Sequence, residues 1–337
     1  MRNGTGVQTA EAARGRAFAK YAWAVLAYNL GVIVWGAYVR ASGSGDGCGN
    51  HWPLCQGAVA PHSPTLKTII EFTHRATSGI DTFLVALLVW WAFRTFPRRH
   101  PARLGAVLSA VFLVSEALIG AGLVLFNQVA QNESISRAWW LSGHLINTLT
   151  LVACLALTAW WGMGRPAARP RGGSAWWAGS SLGLLMLLGI SGAIAALGDT
   201  LFPARSLAAG FAQDFSSAAN IFVRLRAVHP FLAVLVAAWL AAFGVASWRR
   251  GASRRLAAAM LGLVIAQVTA GITNLLLLAP VGMQLAHLLI ADLLWISLVL
   301  LAASLPPMRT PPAPTGPSGD DLAHRAARFE PARSAFH

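Results

Sequence analysis

Long apolar runs separated by short polar connections dominate this chain. A membrane-spanning helix needs about 20 predominantly apolar residues, because each residue advances about 1.5 Å through a hydrocarbon layer of about 30 Å. Eight stretches meet that length, at about 20–39, 69–93, 104–126, 139–161, 176–198, 222–247, 256–279 and 284–304. They predict an all-α integral membrane protein with eight transmembrane helices. Basic residues mark alternate connections: Arg14, Arg16 and Lys20, then Arg94, Arg98, Arg99 and Arg103, then Arg165, Arg169 and Arg171, then Arg249, Arg250, Arg254 and Arg255, and finally Arg309. By the positive-inside rule that side is the cytoplasm, so both termini are expected there. The connections 40–68, 127–138, 199–221 and 280–283 then face outward.

The spans repeat. Span 4 opens Leu141-Ser142-Gly143-His144-Leu145-Ile146, and span 8 opens Gln284-Leu285-Ala286-His287-Leu288-Leu289. Span 3 carries Glu116-Ala117-Leu118-Ile119-Gly120 where span 7 carries Gln267-Val268-Thr269-Ala270-Gly271. His74 in span 2 pairs likewise with His229 in span 6. Four spans per repeat is an even number, so both halves insert in the same direction, related by an axis along the membrane normal. The expected architecture is two pseudo-symmetric four-helix bundles. Its parts are a cytoplasmic N-terminal segment (1–19), a first bundle (20–165), a second bundle (166–305) and a tail (306–337). The N-terminal segment shows no cleavable signal pattern, so span 1 is expected to serve as its own insertion signal. The Pro-rich tail holds too little apolar surface to fold and is expected to be disordered.

Composition agrees with the membrane class. Of 337 residues 56% are hydrophobic and 11% charged, against roughly 25% charged in soluble domains, and the mean hydropathy is +0.56. The net charge of +14 sits in loop clusters rather than in a patch interleaved with aromatics, which argues for topology and against nucleic acid.

Against this apolar background the candidate chemistry stands out. His74, His144, His229 and His287 each lie a turn or two inside the start of an even-numbered span, hence at similar depth near the outer face. Ionisable side chains inside a membrane mark function by default. Neutral imidazole is a common axial ligand of haem iron, and bundles build cofactor sites from inward side chains on facing helices. Two histidines per bundle suit one porphyrin in each; zinc or copper would need further donors, and only Glu71 lies near. Arg40, Arg75, Arg224 and Arg226 sit at the outer boundary, against the basic trend. They are candidate contacts for haem propionates, or else side chains reaching for lipid headgroups.

The halves differ at one informative place. Glu71 lies three residues before His74, on the same helix face, whereas Arg226 lies three residues before His229. A carboxylate beside a porphyrin can act as acid, base or cation stabiliser. The first half is therefore expected to be reactive and the second to hold a permanent cofactor; an ion pair with Arg75 is the structural alternative for Glu71. Glu116 reads as an inter-helix hydrogen bond. Cys48 and Cys55 face the outer, oxidising side, where a disulfide closing a short loop is expected, as a staple or as a redox element. Cys154 is a small apolar filler. On residues alone, a di-haem b-type cytochrome exchanging electrons with quinone and a parallel-repeat transporter compete with an enzyme.

The motifs Val39-Arg40-Ala41-Ser42-Gly43-Ser44-Gly45, Trp52-Pro53-Leu54-Cys55-Gln56-Gly57 and Glu71-Phe72-Thr73-His74-Arg75, with one histidine in each of spans 4, 6 and 8, resemble the haem A synthase family. The resemblance covers the eight spans. It implies oxidation of the ring-D methyl of haem O to the formyl group of haem A for terminal oxidase assembly, in a bacterial inner (cell) membrane. It implies substrate haem on His74 and His144, a haem b cofactor on His229 and His287 (iron in each case), Glu71 as catalytic carboxylate, and a Cys48–Cys55 bond matching the cysteine-bearing members. The implied partners are haem O, the haem O synthase that supplies it, and membrane lipid; a homo-oligomer stays open. The sequence departs from the family pattern at Asn50-His51, where a Pro-Asp is common, which removes a loop acid and adds an imidazole.

Overall fold

A computed structural model describes residues 3–167, 172–217 and 219–305, with the side chains of 3–11 outside that description. Among the described residues there are nine helices: α1 (Asn3–Ala41), α2 (Leu66–Thr95), α3 (Pro101–Leu125), α4 (Ile135–Gly162), α5 (Gly173–Leu201), α6 (Leu207–Asp214), α7 (Ile221–Arg249), α8 (Arg254–Leu276) and α9 (Val281–Ala303). All except α6 are long and apolar enough to cross a membrane, so this is a multi-pass membrane protein; in α1 the spanning part is Ala12–Ala41. The tail 306–337, with Arg309, and the loop residues Arg169 and Arg171 lie outside the described residues.

Local chemistry starts the helices where the apolar runs begin. The Thr65 hydroxyl accepts the Thr68 N–H at the head of α2, and Ser253 does the same for Leu256 in α8. At α3 the cap is an imidazole: His100 Nδ1 accepts the Ala102 N–H at 3.2 Å, and Pro101 takes the first-turn position where no donor is needed. Burial holds His100 below the usual histidine value, which keeps an unprotonated nitrogen available to accept. Two elements extend beyond the sequence expectation. The first helix begins at Asn3, ahead of the apolar run. The connection 199–221 contains α6, capped by Ser206 accepting the Ala209 N–H.

The short connections force consecutive spans antiparallel. α1, α2, α3 and α4 pack in sequence, with α4 returning to α1; α5, α7, α8 and α9 close in the same way, so the molecule is two four-helix bundles. The bundles meet through their last spans, α4 against α9, with α1 and α5 beside them. In α4 and α9, 61% and 50% of the spanning window is buried, against 22–33% in the other six spans. At this seam the Trp295 indole donates to the Leu149 carbonyl at 2.7 Å. Each bundle also carries polar glue at depth: Asn29 Nδ2 donates to Asp81 Oδ2 between α1 and α2 at 2.5 Å, and the Trp239 indole donates to Ser181 Oγ between α7 and α5 at 3.1 Å. Such pairs satisfy groups that lipid could not.

Candidate functional site

The four span histidines occupy equivalent places. His74 lies eight residues after the start of α2, His144 nine after that of α4, His229 eight after that of α7 and His287 six after that of α9. At 1.5 Å per residue this puts them about 9–14 Å inside their helices, all from the same end. His74 and His144 lie within electrostatic reach of each other, as do His229 and His287. The sequence expectation of two imidazoles per bundle therefore has a spatial counterpart.

A shared device seats them. Each imidazole lies over a glycine of the preceding span, and at three of the four a methyl group would intrude. A Cβ on Gly36 would stand 2.9 Å from the His74 ring, one on Gly192 3.0 Å from His229, and one on Gly271 3.1 Å from His287. Gly120 beneath His144 is looser, at 3.8 Å. The Gly120–Gly271 match was visible in the sequence as part of the repeat; Gly36 and Gly192 were not singled out. Their signal is weak, a glycine one helix away at no fixed separation.

The polar neighbours of the ring nitrogens differ. Ser191 Oγ lies 2.8 Å from His229 Nδ1. The Nδ1 atoms of His74, His144 and His287 are buried without a hydrogen-bond partner. Glu116 Oε1 stands 3.5 Å from His144 Nδ1, and Gln267 Nε2 3.3 Å from His287 Nε2. Glu116 itself is an inter-helix acceptor, bonded by Asn147 Nδ2 at 2.5 Å and by the Thr148 hydroxyl, both on α4.

Glu71 is buried and accepts from three donors. Its Oε1 accepts Arg75 Nη2 and Nε at 2.5 and 3.1 Å, and its Oε2 accepts the backbone N–H of Cys48 at 2.8 Å. The ion pair with Arg75 is thus real, and it is only half of the arrangement. Arg75 Nη1 also donates to the carbonyls of His51 and Leu54, at 2.6 and 2.8 Å. Glu71 and Arg75 together clamp the loop that Cys48 and Cys55 close with a disulfide. Gly47 is obligatory beneath this clamp, since a Cβ there would meet the Lys67 carbonyl at 2.5 Å. The Cys48 amide could not have been found from the sequence, because any residue supplies one.

The other arginines also have protein partners. Arg226 donates to Asp214 at 2.5 and 3.0 Å and to Asp199 at 3.1 Å. Arg224 donates to the Ser217 carbonyl. Arg40 reaches across the seam to the Ala196 carbonyl and Thr200 on α5 and to Gln284 on α9, at 2.9–3.1 Å. Cys154 is a free thiol.

Among the described residues, no three His, Cys, Asp or Glu side chains converge as a metal cluster. The donor set is paired imidazoles, seated on glycine in a bundle interior, and that chemistry fits bis-imidazole haem ligation. Fold and site define a two-bundle membrane protein with one histidine pair per bundle and a carboxylate at one pair only. The chain belongs to the COX15-CtaA family, described as "Cytochrome oxidase assembly protein", matched over residues 19–299. It is 49% identical over 291 residues to a "Protoheme IX farnesyltransferase" of Thermus thermophilus, covering 85% of this chain and 48% of that one. It is 36% identical over 125 residues to a "Heme A synthase" of Halalkalibacterium halodurans (37% and 41% of the two chains) and 43% over 97 residues to one of Shouchella clausii (29% and 32%). The chain thus spans about half the length, or less, of these curated relatives.

Proposed function

We propose that this chain is a haem A synthase, taking the ring-D methyl of haem O through the alcohol to the formyl group of haem A, with water as the oxygen source and the four electrons passing to an external electron acceptor. The family description and the "Heme A synthase" relatives support the reaction class. The observation that carries the division of labour is the asymmetry between otherwise matching halves: Glu71 stands one turn ahead of His74, where Arg226 stands ahead of His229. His74 and His144 hold the substrate haem O. His229 and His287 hold a resident haem b, which supplies one-electron chemistry when bound. Arg75 offsets the burial of the Glu71 carboxylate. The donors on Glu71, two on Oε1 and one on Oε2, leave acceptor capacity on Oε2, because a carboxylate offers about four lone-pair sites. Through that site Glu71 can take a proton from an incoming water, or offset positive charge at the carbon being oxidised.

The setting we propose is a bacterial cell membrane, termini inside and histidines near the outer face, as the distribution of basic loops supports. A haem O synthase is the proposed supplier. The Thermus relative's printed name describes farnesyl transfer to protohaem IX, and about half of that chain lies outside the match.

The test is to express the full chain with and without a haem O source, extract the haems and weigh them. Haem A appearing only with haem O is the expected result. Haem b alone under both conditions overturns the synthase in favour of an electron-passing cytochrome, and a haem-free protein overturns both.

A further inference from the structure

The reactive half carries a second carboxylate that this assignment does not use. Glu116 on α3 faces the Nδ1 edge of His144 at 3.5 Å, a few tenths of an ångström beyond an N–H···O bond of about 2.7–3.2 Å. It is held there by a network. Asn147 Nδ2 and the Thr148 hydroxyl donate to the two carboxylate oxygens; Asn147 Nδ2 also bonds the Phe112 carbonyl at 2.8 Å; Ser115 Oγ donates to Asn147 Oδ1 at 2.6 Å. The Thr148 hydroxyl, which has one proton, shares it between Glu116 and the His144 carbonyl, 2.8 Å away. The carboxylate is therefore fixed relative to the imidazole from both sides.

The second half dismantles this network residue by residue. In the register that pairs Glu116 with Gln267 and His144 with His287, Ser115 becomes Ala266, Asn147 becomes Ile290 and Thr148 becomes Ala291. The side chains bonded to the second pair are neutral, and no carboxylate faces either Nδ1: Ser191 Oγ lies at His229 Nδ1, whereas Gln267 reaches Nε2 of His287, whose Nδ1 has no hydrogen-bond partner. Four positions changing together are hard to assign to packing alone, because glycine seating is kept in both halves.

Resting on the reading that His74 and His144 hold the first-bundle haem, we propose that Glu116 is a positioning residue. It backs His144 with an anionic partner and makes the first bundle's axial ligand the stronger electron donor of the two sites. A carboxylate accepting the outer N–H of a metal-bound imidazole fixes its tautomer and raises its basicity, and hydrogen bonding behind the axial ligand is one of the levers that set a haem potential. A more electron-rich ligand favours ferric over ferrous iron. The first-bundle haem is therefore expected at a lower midpoint potential than it would have with a neutral partner.

The test uses the purified full chain, with ferric haem added until both bundles are loaded, and reads midpoint potentials by spectroelectrochemical titration. His144→Ala first identifies the first-bundle signal; if it alters neither haem's spectrum, the ligand reading fails and this inference with it. With that signal assigned, Glu116→Gln is expected to shift the first haem's ferric-to-ferrous ratio at fixed potential by about tenfold, about 59 mV for one electron, while the second haem stays put as the internal check on folding. Glu116→Asp, which keeps the charge, is expected to recover part of the shift. An unchanged first potential in Glu116→Gln, or an equal shift of both haems, overturns the proposal while leaving the ligand reading intact. If Glu116→Gln cannot retain the first haem, retention by Glu116→Asp supports an anionic positioning role. Loss in both variants with the second haem intact overturns it.

Discussion

The two bundles share one scaffold and differ in what surrounds their imidazoles. Both seat each histidine on a glycine, close through the same order of spans and meet through their last helices. Around His74 and His144, however, lie two carboxylates, one clamped to a disulfide-closed loop and one fixed by an α4 network. Around His229 and His287 the corresponding positions are Arg226 and Gln267, and Arg226 is committed to Asp199 and Asp214. The repeated scaffold thus accounts for the paired-imidazole geometry, and a few polar residues for the difference between the two pairs. A buried charge is held only where it is compensated, so each carboxylate required its own set of donors.

The strongest attempt to break this comparison is Glu71→Ala. General acid–base catalysis is worth roughly 10²–10⁴ in rate, so haem A output in the haem O-fed system should fall about a hundredfold or more while the second-bundle haem remains. Output near wild type would make the halves functionally equivalent. Because removing Glu71 strands the Arg75 guanidinium, Glu71→Gln serves as the milder companion. It can still accept from Cys48 but carries no charge, and it should be as inactive as the alanine variant.

Next in size are the glycine seats. Gly36→Ala drives a methyl to 2.9 Å from the His74 ring and Gly192→Ala one to 3.0 Å from His229. In both cases the neighbour that must give is a side chain, so the imidazole moves and the fold survives. Displacing the support of a metal ligand typically lowers affinity about 10–100-fold. Gly36→Ala should therefore shed the first haem and keep the second, and Gly192→Ala the reverse. Gly120→Ala, at 3.8 Å, should shed neither. Alanine exceeds glycine in helix propensity by about 1 kcal/mol, so the variants should lose haem without melting earlier. Haem content by pyridine haemochrome beside a thermal melt separates the two effects.

These seats show what the sequence could and could not reveal. The eight spans were legible because hydrocarbon thickness imposes a length, and the histidine repeat because equal depth leaves equal spacing from helix starts. The His–Gly contacts were not, since two helices can approach in many rotations and only packing selects one. The clamp on Glu71 was hidden for a related reason: one partner, Arg75, lies one helical turn away and could be named as a candidate, while the other is the backbone amide of Cys48, brought in by a loop. Helix α6 was hidden by its short length and the breakers around it, and the early start of α1 by the poor helix formers at its head, Asn3, Gly4, Thr5 and Gly6.

The disulfide sharpens the comparison from the loop side. It closes a loop with a sequence separation of 7, for which chain-entropy arguments give about 2–3 kcal/mol. Cys48→Ser together with Cys55→Ser should lower the melting temperature by that amount of stability, and the loss should concentrate in the first half, where the Cys48 amide holds Glu71. Protease sensitivity of residues 47–57 measured beside that of the α6 connection reads this directly. Equal loosening of both connections would mean that the staple serves this whole end of the molecule and not the Glu71 clamp.

The smallest expected difference is a pH effect confined to one helix start. His100 caps α3 through Nδ1, whereas the second bundle caps α8 with the Ser253 hydroxyl, which does not titrate. Burial depresses His100 below its ordinary value, about 6.5, so the unfolded chain takes up the proton before the folded one does. The cap's contribution is then fully present above about pH 6.5 and is lost as the pH falls to and through the depressed folded value. Protonation removes the acceptor that the Ala102 N–H uses. Hydrogen exchange, corrected for its intrinsic pH dependence, should show the first turn of α3 losing protection between neutral and mildly acidic pH while the first turn of α8 does not. His100→Asn, which caps without titrating in that range, should abolish the difference between the two helices; if it persists, its origin lies elsewhere than in this imidazole.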